Sequence, residues 1–87
     1  MSWMCYVLQC GDGTLYCGVT NDLGKRLVAH NAGEGAKYTR GRTPVKLVYS
    51  EGCADKSAAL KREREIKGLS RAKKLALVSA GLQHRAY

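Results

Sequence analysis

Arg26 and His30 stand four residues apart in the stretch LYCGVTNDLGKRLVAHN, a spacing that places both side chains on one face of a helix. Asn21 or Asp22 supplies the N-cap, and at about 100° per residue the same face carries Leu23 and Leu27, the apolar pair that docks onto a sheet. The residues just before, Leu15 to Val19, read as a short strand that delivers Tyr16 beside that face. A cation and an imidazole at the rim of a packed surface, next to a phenol, are the parts of a site. Farther along, Glu63 falls at the centre of the apolar stripe formed by Ala59, Leu60 and Ile66, while Glu65 projects to a flank. A carboxylate on the core side is costly to bury alone, so it must meet a cation, a hydrogen-bond donor or a metal ion. Lys67, one turn on, offers the ordinary answer, an i, i+4 pair worth about 0.2 to 0.5 kcal/mol.

Positioning these groups takes a small set of elements. Trp3 to Cys10 is an apolar, aromatic and β-prone run of strand length, followed by Gly11-Asp12-Gly13. A three-residue hairpin loop with Gly13 in the left-handed conformation pairs Tyr6 with Gly18 and Leu8 with Tyr16. The two tyrosines then share one face as diagonal neighbours, whereas a loop one residue longer or shorter would separate them. Pro44 opens a third strand, Val45 to Tyr49, with Val45, Leu47 and Tyr49 expected on one face. Asp55 or Ser57 caps the second helix, Gly68 ends it, and Ser70 caps a third running to about Ala80, with Leu75 and Val78 inward and Gly81 as its stop.

Between the first helix and the third strand, Asn31 to Thr43 has no period and carries Lys37, Tyr38, Arg40 and Arg42. Cations with an interleaved aromatic suit a nucleic-acid backbone and an unstacked base, and equally a solvated crossover whose charge aids solubility. Arg71, Lys73 and Lys74 crowd the first turn of the third helix, where they oppose its dipole, so a partner explains them better than stability does.

Eighty-seven residues with 45% apolar content make one domain, 1–87, with a single modest core. No apolar run is long enough to span a membrane and the N-terminus lacks the layout of a signal peptide, which makes the cytoplasm the expected compartment. Cys5, Cys10, Cys17 and Cys53 form no C-x-x-C pair and are expected as free, largely buried thiols rather than a disulfide or zinc framework. A net charge of +8 points to a polyanionic partner, nucleic acid before others, with a basic solubilising surface as the bland alternative.

The order and spacing of these residues resemble the GIY-YIG nuclease superfamily, particularly its small stand-alone bacterial members, over Trp3 to about Val78. Met4-Cys5-Tyr6 takes the place of Gly-Ile-Tyr, with only the tyrosine kept, and Tyr16-Cys17-Gly18 takes the place of Tyr-Ile-Gly. Arg26 matches the arginine of the following helix, His30 the histidine or tyrosine one turn later, and Glu63 the glutamate after an Ala-Leu-x-x-Glu pattern. The resemblance implies an α+β fold, a small three-stranded antiparallel sheet flanked by helices in the order ββα-loop-βαα. It implies metal-dependent hydrolysis of DNA phosphodiester bonds, with Glu63 as the sole protein ligand of Mg²⁺ or Mn²⁺. Tyr16 would be the base with Tyr6 as partner or substitute, Arg26 would clamp the scissile phosphate, and His30 would orient water or phosphate. Lys37, Tyr38, Arg40, Arg42, Lys67 and Arg71 would hold the nucleic acid. With no separate targeting domain, the expected DNA is single-stranded or branched, chosen by strand or shape, alone or with a partner protein. The competing expectation is a nucleic-acid-binding module of the same fold that does not cleave.

Overall fold

The computed structural model describes residues 3–35 and 39–85, with side chains described to Ala80. It contains β1 (Trp3–Gln9), β2 (Leu15–Thr20), α1 (Leu23–Asn31), β3 (Lys46–Cys53), α2 (Lys56–Lys67) and α3 (Arg71–Arg85). The strands form one antiparallel sheet in the order β2-β1-β3, so the fold is α+β with the most apolar strand at the centre. β1 is central because Cys5, Tyr6, Val7 and Leu8 are all buried, and only a strand covered on both faces can bury four consecutive residues.

The β1–β2 turn closes as its composition requires. Cys10 and Thr14 bracket the loop through a 2.8 Å N–H to carbonyl bond, and Gly13 takes φ +85°, a region open to glycine. Tyr6 therefore lies opposite Gly18 and Leu8 opposite Tyr16.

Alternation along the strands divides the core in two. Tyr6, Leu8, Cys10 and Val45 form one cluster under Leu23 and Leu27 of α1, with Tyr16 and Leu47 at its margin. Cys5, Val7, Cys17, Val48 and Ile66 form the other, covered by α2 and by Leu77 and Val78 of α3. Asp22 caps α1 by accepting the Lys25 N–H, and Asp55 caps α2 by accepting the Ala58 N–H.

Three sequence expectations are corrected. β3 starts at Lys46 and continues to Cys53, and Val7 faces Tyr49 while Leu8 faces Leu47, so Val48 is an extra residue in a bulge. That residue interrupts the alternation: Val45 and Leu47 stay under α1, but Tyr49 packs on the opposite face. Leu60 and Leu75, expected inside, are 37% and 43% exposed, and the inward contacts of α3 come from Leu77 and Val78. Finally, α3 runs through Gly81 to Arg85, since a lone glycine only weakens a helix, by about 1 kcal/mol relative to alanine.

Among the described residues no helix is long and apolar enough to cross a membrane. Cys5, Cys10, Cys17 and Cys53 are free thiols, and the first three are buried.

Candidate functional site

Four of the five residues singled out for chemistry meet on the α1 face. The hairpin register sets Tyr6 and Tyr16 as diagonal neighbours, with ring centroids 6.4 Å apart, and both rings meet the His30 imidazole edge-on at 6.0 and 5.3 Å. Gly18 is needed here for space: a Cβ on it would lie 2.7 Å from the Tyr6 oxygen and 3.0 Å from the Tyr16 ring. The glycine of Tyr16-Cys17-Gly18 thus lets the Tyr6 ring lie flat across the neighbouring strand.

Hydrogen bonds fix the direction of this cluster. Arg26 Nε donates to the Tyr6 oxygen at 3.4 Å, and the Tyr6 hydroxyl lies 3.0 Å from His30 Nε2. His30 Nδ1 lies 2.8 Å from the Thr39 hydroxyl. A guanidinium can only donate, so the Tyr6 oxygen accepts from Arg26 and its own proton goes to His30 Nε2. The imidazole is then the Nδ1–H tautomer and donates to Thr39. Burial, and secondly the charge of Arg26, push the His30 pKa down, which keeps the ring neutral as this chain of bonds demands. Burial likewise raises the Tyr6 pKa, against the opposing pull of its bond from Arg26, so Tyr6 remains a phenol. The Tyr6 oxygen in turn raises the Arg26 pKa and secures its charge.

His30 was expected at a rim, yet its exposure is 0% and that of Tyr6 is 1%. The loop after α1 covers the imidazole. Gly35 packs so tightly against His30 that a Cβ would collide with the ring, and Thr39 closes over Nδ1. Sequence reasoning missed both residues, although the glycines at 33, 35 and 41 signalled a backbone that must turn or approach closely. The same loop is tied down elsewhere. Asn31 uses both ends of its amide on the Val45 backbone, at 2.8 and 3.2 Å, and the Gly11 N–H donates to the Arg42 carbonyl at 2.6 Å. Arg42 also pairs with Asp12 at 2.8 Å across the hairpin loop. Of the cations assigned to nucleic acid, Arg42 thus has an internal partner, Arg71 donates to the Gly13 carbonyl at 3.3 Å, and Arg40 is exposed. Lys37 and Tyr38 lie outside the described residues.

Glu63, the fifth residue, is carried by α2, whose Ile66 packs into the core cluster on the other face. Its side chain is 19% exposed and pairs with Lys67 at 3.5 Å, as the i, i+4 spacing predicts. Glu65, 55% exposed, pairs instead with Arg62. The structure thus gathers Tyr6, Tyr16, Arg26 and His30 on one side of β2 and holds Glu63 on the other. β2 is an edge strand, so the two faces adjoin along its open edge.

As to a metal, no group of three His, Cys, Asp or Glu side chains converges among the described residues. The half-buried Glu63 carboxylate suits a hard divalent ion that keeps most of its waters and takes its remaining oxygens from a phosphate, as Mg²⁺ does. A site needing several protein ligands does not fit.

The depressed pKa of His30 has a consequence for stability. The unfolded histidine titrates near 6.5, so below about that pH the unfolded chain binds a proton that the native ring resists. Stability from neutral His30 is therefore complete above about pH 6.5 and is lost as pH falls from there through the lower native pKa. The thermal midpoint is expected to drop between about pH 7.5 and about pH 5, with His30→Gln less stable at neutral pH but showing a flatter profile. A slope unchanged by the substitution would assign the acid sensitivity to other groups.

Comparison with known proteins agrees with this architecture. The model of the GIY-YIG catalytic domain matches residues 2–76. A UPF0213 protein of the archaeon Natronomonas pharaonis is 62% identical over 74 residues, which span 85% of this chain and 87% of the relative. A UPF0213 protein of Staphylococcus saprophyticus is 57% identical over 76 residues, 87% of this chain and 93% of the relative. Among solved structures, the solution structure of a UPF0213 protein of Bacillus halodurans is similar with a TM-score of 0.60 at 46% identity, covering 92% of this chain and 85% of that one. That of a protein from E. faecalis has a TM-score of 0.64 at 37% identity, covering all of this chain (100%) and 91% of the other.

Proposed function

The chain belongs to the GIY-YIG family, a family of nucleases, and from that membership we propose that it hydrolyses DNA phosphodiester bonds with a divalent metal, selecting single-stranded or branched DNA by strand and shape. The observation that supports this reading best is the Arg26–Tyr6–His30–Thr39 chain of hydrogen bonds behind an edge strand that also carries Tyr16.

In the proposed mechanism Tyr16, its own proton having first passed to solvent, takes the proton of the attacking water as a phenolate. Tyr6 is its partner, not its substitute: the residue is 1% exposed and its hydroxyl is already occupied by His30 and Arg26. Arg26 steadies the scissile phosphate through its terminal nitrogens, because its Nε–H is given to Tyr6. His30 is a positioning residue that acts through Tyr6, since it is fully buried. Glu63 would hold the metal, which when bound supplies charge neutralisation on the phosphate and on the leaving oxygen. Lys67 pairs with Oε2 of that carboxylate at 3.5 Å, and its ammonium would stand beside a bound phosphate. Arg40, Lys67 and Arg71 would line the path of the strand; Lys37 and Tyr38, also assigned to the nucleic acid, lie outside the described residues.

The test is a panel of labelled single-stranded, flap, fork, junction and duplex DNAs incubated with Mg²⁺, Mn²⁺ or EDTA. Cleavage of unpaired or branched strands with metal, and none in EDTA, is expected. Binding without cleavage of any substrate in the presence of metal would establish the non-catalytic module instead.

A further inference from the structure

On the α2 side of β2 lies a cleft of about 330 Å³, within the range of roughly 300 to 1,000 Å³ usual for ligand pockets. Val7 and Ile66 form its floor, Leu15 and Tyr16 its strand wall, and Lys67 and Lys74 stand at its rim. The floor is apolar because it rests on the core, where Val7 and Ile66 are each 1% exposed, and the half-buried Leu15 and Tyr16 supply the open surface above it. Among the described residues no carboxylate lines it, and the charge of the nearby Glu63 is met by Lys67. Tyr16 belongs both to this cleft and to the ring cluster with Tyr6 and His30, so the cleft and the candidate active site share one wall.

We propose that this cleft receives a single unpaired nucleobase of a DNA strand laid along the β2 edge, with the phosphates on either side held by Lys67 and Lys74. The proposal rests on the nuclease reading and adds to it the residues that choose the strand. An apolar floor beneath two cations fits a flat ring flanked by negative charge. It does not fit a second copy of this chain, which would bring a net charge of +8 against the same lysines. With few polar groups in the wall, the cleft reads the presence of an unstacked base rather than its identity. A paired base is held inside the duplex and cannot enter. Selection of unpaired strands then follows from access, with no sequence code needed.

The experiment measures binding in EDTA, where nothing is cut. The probes are a fluorescein-labelled oligothymidylate of about 10 nucleotides, inside the 4 to 16 typical of single-strand sites, and a blunt duplex of the same length. Leu15→Trp, which fills the cleft from the strand side, is expected to weaken single-strand binding about tenfold, the loss of one buried base, and duplex binding by less than about twofold. Lys74→Ala, which leaves the core untouched, should lower the single-strand salt slope by about 0.7. Amide shifts of the wild-type protein on adding the oligothymidylate should centre on residues 15–17 and 66–74, a readout that holds even if Leu15→Trp folds poorly. Unchanged single-strand affinity in both variants, equal losses on duplex and single strand, or shifts that avoid the cleft would each overturn the proposal. Self-association through the cleft in the absence of DNA would do so too. Failure here leaves the cleavage panel free to succeed, and a protein that binds this way without ever cutting refutes only the nuclease reading.

Discussion

Glu63→Gln is expected to lower cleavage in Mg²⁺ by roughly a thousandfold or more, because the ion supplies several kcal/mol of the stabilisation at the phosphate and each 1.36 kcal/mol is tenfold in rate. DNA affinity measured in EDTA should stay the same or rise slightly, since the substitution removes a negative charge and frees Lys67 from its 3.5 Å pair. Folding should be little affected: the pair is of the i, i+4 kind and contributes only a few tenths of a kcal/mol. Glu65→Gln is the matched control. It removes the same charge from the same helix at a position that is 55% exposed and paired with Arg62, so cleavage should be close to normal. Equal losses in the two variants would point to helix charge rather than metal binding, and full activity in Glu63→Gln would remove α2 from the chemistry.

The second large effect separates the two tyrosines, of which the sequence reading made Tyr16 the base and Tyr6 its partner or substitute. Tyr16→Phe keeps the ring and removes one oxygen from a half-buried residue on an edge strand, where water can replace a lost partner, so the melting temperature should fall less than in Tyr6→Phe. The single-turnover rate should fall about 100-fold or more, the usual contribution of a positioned acid–base group. Tyr6→Phe behaves differently because its oxygen joins Arg26 to His30. Without it, His30 Nε2 loses its partner in a fully buried position, at a cost of about 1 to 3 kcal/mol. Tyr6→Phe should therefore lose stability, with a smaller effect on rate that comes from a less steady Arg26. A stable Tyr6→Phe with the larger rate loss would exchange the two roles. Normal turnover in both would leave the proton transfer to some other group.

The tyrosine pair was legible because it rests on local rules. A three-residue loop ending in Gly13 fixes the hairpin register, and register alone decides that Tyr6 and Tyr16 share a face. The same holds for α1, where a cap at Asn21 or Asp22, observed at Asp22, and the spacing of Leu23, Arg26, Leu27 and His30 place the start of the helix and its inward face. Glu63 and Lys67 were equally readable, since both lie on one helix one turn apart.

What failed to show depends on segments far apart in the chain. The bulge at Val48 arises where β3 meets β1, and nothing within residues 45–53 announces it, so Tyr49 was placed on the wrong face. The exposure of Leu60 and Leu75 was hidden because periodicity gives the apolar side of a helix but not how much of it a neighbour covers. His30 is the clearest case. Sequence alone determined that it stands beside Arg26 on the inner face of α1. Only the tertiary path of the following loop, with Gly35 against the ring and Thr39 on Nδ1, decided that it is sealed from solvent and bonded to the Tyr6 hydroxyl. A side chain's direction is set by the few residues of its own helix turn, whereas its burial and protonation are set by whatever backbone folds over it.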